Sequence, residues 1–544
     1  MTPTFDLRTQ PWVLTRMLDG RMAELSLHDV FRRAHEARDL VGEVPTQTFA
    51  LTRLLLAILH RALGEVDSPL DDWRSLWHAP TLPADEIEEY LDDFEDRFDL
   101  LHPATPFFQV ADLHTQKNEM SGLEKLIVDV PNGHRYFTTR TQVGIERISF
   151  AEAARWLVHC QAFDTSGIKS GAVGDNRVKN GKGYPIGTAW AGNLGGIHLD
   201  GASLKDTLLL NLVLATRHDE YFSAPDDLPP WERPPLTAAV EDRHGAGPRG
   251  QIDLFTWQAR RIRLGHDGTC VTSVLIANGD VMAPQNQHVH EPMSTWRRSA
   301  TQEKKLGEAL VYMPRTHDPE RSMWHGLAAL LPQTERSAGM KTSPAGVLDW
   351  IALLRNQPDT LHPDYVLRTH ALGIKYGSQS STVAEIVDDS LSIHAILVSE
   401  QGRELAAVAI DAVAATETAV TAFATLAGNL ATAAGGDAAG ERDRAREHAY
   451  FLLDAPYRQW LAALDASTDA DAALANWFDT ARSVVWTEAQ DMLDSAGPAA
   501  WVGRPNSAGR HVNTPQADAW FRHALRQALP VPTHTANPAH SDEQ

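Results

Sequence analysis

The chain has 544 residues, 43% of them hydrophobic and 22% charged, with a formal net charge of −22. The length suggests two to four domains at roughly 100–200 residues each, and the composition fits a globular protein with a sizeable core. Having only Cys160 and Cys270 excludes a disulfide framework and a thiolate zinc cluster, and the acidic total argues against a free-standing nucleic-acid binder, whose affinity comes largely from neutralising phosphates.

The opening MTPTFDLRTQPW lacks the basic start and apolar middle of a secretion signal. No apolar run reaches the roughly 18–20 residues that span a bilayer, so a cytoplasmic protein with no membrane partner is expected. Trp12–Thr15 and the run beginning at Ala23 read as strands joined at Asp19-Gly20, a pair that tolerates positive φ in a tight turn. Ser26 stands where a helix N-cap belongs. The apolar density of Phe49–Leu63 predicts a helix buried on most of its surface. Acidic helical periodicity returns over Asp85–Phe98.

From Pro131 to Asn193 the character changes, with recurrent glycines among Asn, Ser, Thr and basic residues. Between Pro131 and Trp190 eight basic residues face four acidic ones, whereas Gln401–Gln544 holds ten arginines, no lysine and eighteen acidic residues. The irregular stretch Asp164–Asn193 is long enough to predict a functional or disordered loop, not an idle connector. Ala224–Gly250, with its DDLPPWERPP, predicts an exposed insertion. Strand-like runs follow at Ile252–Trp257 and Val271–Ile276. Beyond residue 402, apolar-striped segments at Glu404–Ala434, Glu441–Leu464, Ala472–Leu493 and Thr514–Leu529 are joined by short links, the pattern of a four-helix bundle. The fold class is therefore α+β: a large mixed α/β domain with long functional loops over residues 1–401, a bundle over 402–530, and a disordered tail over 531–544.

Signatures of catalysis are sparse. There is no Walker loop, no G-x-S-x-G elbow and no H-E-x-x-H helix. His288-Val-His290-Glu291 places two imidazoles together but lacks a third ligand. Ser166 and Ser170 flank a glycine turn without an identifiable base. No catalytic residue, metal site or cofactor is expected, and a binding role is favoured. An intracellular hydrolase with a helical lid and a structural ribonucleoprotein scaffold are the alternatives.

The opening FDLRTQPWVLTRMLDGRMAELSLHDVFRRA, the segments GEVPTQTFALTRLLLAIL, FDLLHPATPFFQV, QAFDTSGIKSGAVGD, IHLDGASLKDTLLLNLVL, LFTWQ and LGIKYGSQSSTV, and the terminal bundle together resemble the large CasA subunit family of Cascade, the type I-E CRISPR surveillance complex. Order and spacing make the resemblance specific over essentially the whole chain. It implies a non-catalytic subunit that recognises the protospacer-adjacent motif in duplex DNA, promotes strand opening and helps recruit a helicase-nuclease. The implied partners are the 5′ handle of the guide RNA, target double-stranded DNA, other Cascade subunits and that nuclease.

Three segments carry the implied roles. The glycine loop Ser166-Gly167-Ile168-Lys169-Ser170-Gly171 would approach the minor groove, with Lys169 on a phosphate. The turn Ser378-Gln379-Ser380 would supply a glutamine wedge, polar enough to bond what it exposes yet without a charge to bury. Arg135, Tyr136 and Phe137 would meet the RNA handle by phosphate contact and stacking. One departure stands out: some members carry a lysine finger after the LFTWQ-like segment, but Thr269–Ser299 contains no lysine. Asn278 is its nearest replacement.

Overall fold

A computed structural model describes residues 3–64, 66–130, 143–215, 226–241, 247–331, 342–506 and 508–531. The chain divides into two compact units. The first comprises Met1–Met323, Ala329–His362 and Leu367–Leu391, and the second Trp324–Ala328, Pro363–Val366 and Ser392–Gln544. Helices and sheets mix in the first and helices dominate the second, in agreement with the α+β class.

The first unit opens as the sequence suggests. Val13–Met17 pairs antiparallel with Met22–Leu25, Thr15 opposite Ala23, and Gly20 takes φ +85° in the turn. Ala37–Leu40 adds a third strand on the other side of Val13–Met17. Ser26 caps the Leu27–Arg32 helix by accepting from the Asp29 amide at 3.1 Å. Pro at the first position starts the Pro45–Leu63 helix, which is buried along most of its length and packs on the Phe150–Phe163 helix. Even Arg53 is buried on it, paired bidentately with the buried Glu291 at 2.8 Å through both oxygens. Trp190 Nε1 donates to the same carboxylate at 2.7 Å, so no polar atom of Glu291 is left bare.

Two expectations fail here. Gln251–Phe255 is a short helix and not a strand, held at its start because the Ile252 and Asp253 amides donate to Asp227. The expected exposed insertion is exposed only in part, because its Pro229–Trp231 stretch packs inward. Trp231 is buried against Phe98 and Phe108, and Arg97 donates to the carbonyls of Pro230, Trp231 and Arg233. Arg260–His266 and Val271–Asn278 form a two-stranded antiparallel ribbon, Arg260 opposite Asn278. Gly196–Asp200, Val366–Tyr376 and Val383–His394 form a three-stranded sheet with Val366–Tyr376 in the middle.

In the second unit the long helices are Arg403–Ala434, Ala438–Ala462, Ala470–Asp494 and Thr514–Ala528. Arg403–Ala434 packs against all three others. That central place explains a difference from the sequence reading: this helix is long and apolar enough to cross a membrane by length and composition, yet more than half of its most apolar stretch is buried inside protein. Polar ties fix the packing, including Tyr457 Oη to Ala409 O at 2.8 Å and Trp477 Nε1 to Thr416 Oγ1 at 2.9 Å.

Candidate nucleic-acid interface

The Phe150–Phe163 helix ends at Asp164, and the glycine loop begins there. The Asp164 side chain is 9% exposed, and two cations converge on it: Lys169 Nζ at 2.5 Å and Arg260 Nε at 2.5 Å. Burial alone would raise its pKa, but these two charges outweigh burial and hold it below the usual carboxylate range. Arg260, itself 1% exposed, also donates to Thr165 O at 3.0 Å and Gly187 O at 2.8 Å. One guanidinium therefore clamps both ends of the 164–187 segment.

Within the loop the six predicted residues have unequal roles. Ser166 and Gly171 are buried, while Ile168 is 58% exposed. Gly167 has φ +149°, where side chains are strained, and open space where a Cβ would stand. Gly171 serves packing: a Cβ there would lie 2.5 Å from the Gly181 carbonyl carbon and oxygen. Lys169, expected on a phosphate, is instead committed to Asp164 and stiffens the loop from within. Lys169–Ser170 pairs antiparallel with Lys182–Gly183, so the loop is backed by a small hairpin.

Asn278 requires a correction. It is 3% exposed at the end of its strand, and its Nδ2 donates to Tyr184 O at 2.6 Å. A Cβ on Gly183 would meet that nitrogen at 2.9 Å. Asn278 is thus a tether for the hairpin behind the glycine loop and not a projecting finger. Arg177 reinforces it, bonded to both oxygens of Asp175 and to the carbonyls of Asn278 and Gly279.

The turn between Val366–Tyr376 and Val383–His394 presents Ser378 and Gln379 to solvent, with Ser380 half-buried. Gln379 and Ser380 both lie in the left-handed region, at φ +54° and +53°. Two adjacent non-glycine residues there store backbone strain, a feature concentrated at functional sites. At the foot of this turn Tyr376 Oη donates to Phe163 O at 2.6 Å. A Cβ on Gly192 would lie 2.2 Å from that hydroxyl, so the glycine makes room for it. The hydrogen bond joins the glutamine turn to the residue that precedes the Asp164 clamp.

Arg135, Tyr136 and Phe137 lie outside the described residues. Among the described residues no group of three or more His, Cys, Asp or Glu side chains is placed to hold a metal; Glu291 of the His288–Glu291 run is spent on Arg53. Sequence reasoning missed Arg260 and Tyr376, whose partners are distant in the chain. It also missed Lys179-Asn180-Gly181-Lys182, where Asn-Gly is a strong hairpin signal.

The family model described as CRISPR-associated protein Cse1 matches residues 6–487. The chain belongs to the Cse1 family. The CasA/Cse1 protein of Thermus thermophilus is 33% identical to this Cse1 chain over 340 residues, which is 60% of this chain and 60% of the relative's length. The crystal structure of Thermobifida fusca Cse1 superposes with a TM-score of 0.90 at 48% identity, over 97% of this chain and 98% of that one. Acidimicrobium ferrooxidans Cse1 gives 0.80 at 29% identity, over 96% and 98%. These matches bear out the resemblance to CasA read from the sequence.

Proposed function

We propose that this Cse1 chain is the large subunit of an RNA-guided surveillance complex, where it inspects duplex DNA beside the target and starts its opening. It acts as a binding subunit, with guide RNA, sister subunits and a helicase-nuclease as its other partners. The observation that carries the reading is the Tyr376–Phe163 hydrogen bond, which fixes the strained Gln379 turn to the base of the glycine loop. A groove reader and a strand wedge must act on adjacent base pairs, and this link holds them in one frame.

The open space at Gly167 allows backbone to approach a minor groove, where A·T and G·C present only a coarse pattern. Unstacking one base step costs on the order of a few kcal/mol, so Gln379 biases melting while guide pairing completes it. Binding of the assembled complex to a library randomised in the target-flanking bases tests the reading. A flanking preference that Gly167→Asp abolishes is the expected result, and equal binding of all flanks overturns it. Gln379→Ala should slow R-loop formation on linear duplex more than on a pre-melted bubble. Equal behaviour of variant and wild type on both substrates would sink the wedge.

A further inference from the structure

With Lys169 tied to Asp164, the glycine loop needs its phosphate contact from another residue, and the hairpin behind it holds two candidates. Lys179 and Lys182 flank Asn180 and Gly181, whose φ values are +52° and +72°. The two lysines exchange both backbone hydrogen bonds, at 3.0 and 3.1 Å. This is a two-residue turn with positive φ at both central positions, the geometry that best matches the strand twist.

Residues directly opposite in an antiparallel pair carry their side chains on the same face, and like charges so placed repel. Both lysines are exposed, and neither forms an ion pair with a described residue. The turn itself is rigidly supported. Gly171 N donates to Gly181 O at 3.1 Å, Asn278 holds Tyr184, and Lys182 lies directly opposite Ser170 of the glycine loop. A stiff hairpin that sets two exposed lysines opposite each other beside the glycine loop offers paired positive charge to an anion.

We propose that Lys179 and Lys182 grip the sugar-phosphate backbone of duplex DNA next to the glycine loop, doing the work that a single lysine on the Asn278 turn does not do in this chain. The inference rests on the DNA-inspecting reading above and specifies how that site holds its substrate. Neighbouring phosphates on one strand are a natural ligand for paired cations on a hairpin tip. Contacts to them carry no sequence information but fix register.

The test uses the assembled complex, a matched linear duplex bearing a flank selected from the randomised library, and equilibrium binding across 50–200 mM salt. Losing two phosphate contacts should flatten the slope of log K against log salt by about 1.8. The Lys179→Ala/Lys182→Ala variant should therefore weaken roughly tenfold less than wild type over that salt range. The ranking of flanking sequences should stay as in wild type, and Lys179→Arg/Lys182→Arg should restore the slope. An unchanged slope overturns the proposal. So does a loss confined to particular flanks, which would mean base reading, or a lower guide-RNA content of the purified variant complex, which would mean an RNA grip. The library preference and the Gln379→Ala comparison do not involve these lysines, so failure of the grip leaves the underlying reading separately judged.

Discussion

At the scale of single residues, the tip of the glutamine turn separates strain from chemistry. A left-handed conformation costs a non-glycine residue about 1–2 kcal/mol, while glycine there gives back about 0.4–1 kcal/mol through a freer unfolded chain. The first effect is larger, so Gln379→Gly should stabilise the first unit by about 0.5–1 kcal/mol, read as a raised denaturant midpoint. The same variant should impair opening of linear duplex as severely as Gln379→Ala, because both lack the amide proposed to enter the stack. If Gln379→Gly destabilised the protein, the turn would not be strained as φ +54° implies. Arg260 poses the opposite problem. Its removal leaves the largely covered Asp164 carboxylate with one cation and frees the carbonyls of Thr165 and Gly187. Arg260→Ala should cost roughly 3–5 kcal/mol, and hydrogen exchange across residues 164–187 should accelerate before global unfolding.

At the scale of elements, the three-stranded sheet that carries the glutamine turn contains a pH-sensitive cluster. His198 and His370 stand opposite each other on adjacent strands, and each ring meets one oxygen of Asp200 at 2.8 Å. Burial would raise the pKa of Asp200, but hydrogen bonds from both rings outweigh it and hold the group far below its usual 3.8. Burial would lower His370, yet the Asp200 hydrogen bond and charge leave it raised above 6.5. Asp200 therefore contributes stability that is present above about pH 3.8 and lost as pH falls through its folded value. His370 contributes stability that is complete below about pH 6.5 and lost as pH rises through its folded value. Thermal unfolding should thus show a decline on the alkaline side of pH 6.5, and His370→Asn should remove that decline. Legibility also varies by element. The Pro45–Leu63 helix and the Ser26 cap were readable because their signals are local, an apolar run and a side chain three residues from its partner amide. Gln251–Phe255 was misread because five residues hold too little of a helical period to oppose a strand. Asn278 looked like a turn tip because Ala-Asn-Gly-Asp has turn chemistry, whereas its burial depends on Tyr184, 94 residues away in the chain.

At the scale of the whole molecule, the charge of −22 has to be reconciled with the proposed DNA-inspecting role. The family and the CasA resemblance were readable because they rest on ordered segments along the entire chain. The site's electrostatics were not, because a lysine's availability depends on which carboxylate the fold brings to it: Lys169 meets Asp164, while Lys179 and Lys182 meet none among the described residues. Few free cations among the described residues of the proposed interface set a limit on what the subunit can do alone. Two phosphate contacts correspond to a salt slope of about −1.8, far below that of proteins whose affinity is mainly electrostatic. The isolated chain should therefore bind a short duplex no more tightly than non-specific complexes do, on the order of 10⁻⁴–10⁻⁶ M, with a slope no steeper than about −2. The assembled complex should bind the same duplex far more tightly and with a steeper slope if, as proposed, partner subunits and guide RNA pairing supply the hold. Fluorescence anisotropy from 50 to 200 mM salt reads both quantities. A steep slope for the isolated chain would mean a basic surface of its own, and inspection would then not depend on a few local contacts carried by partners.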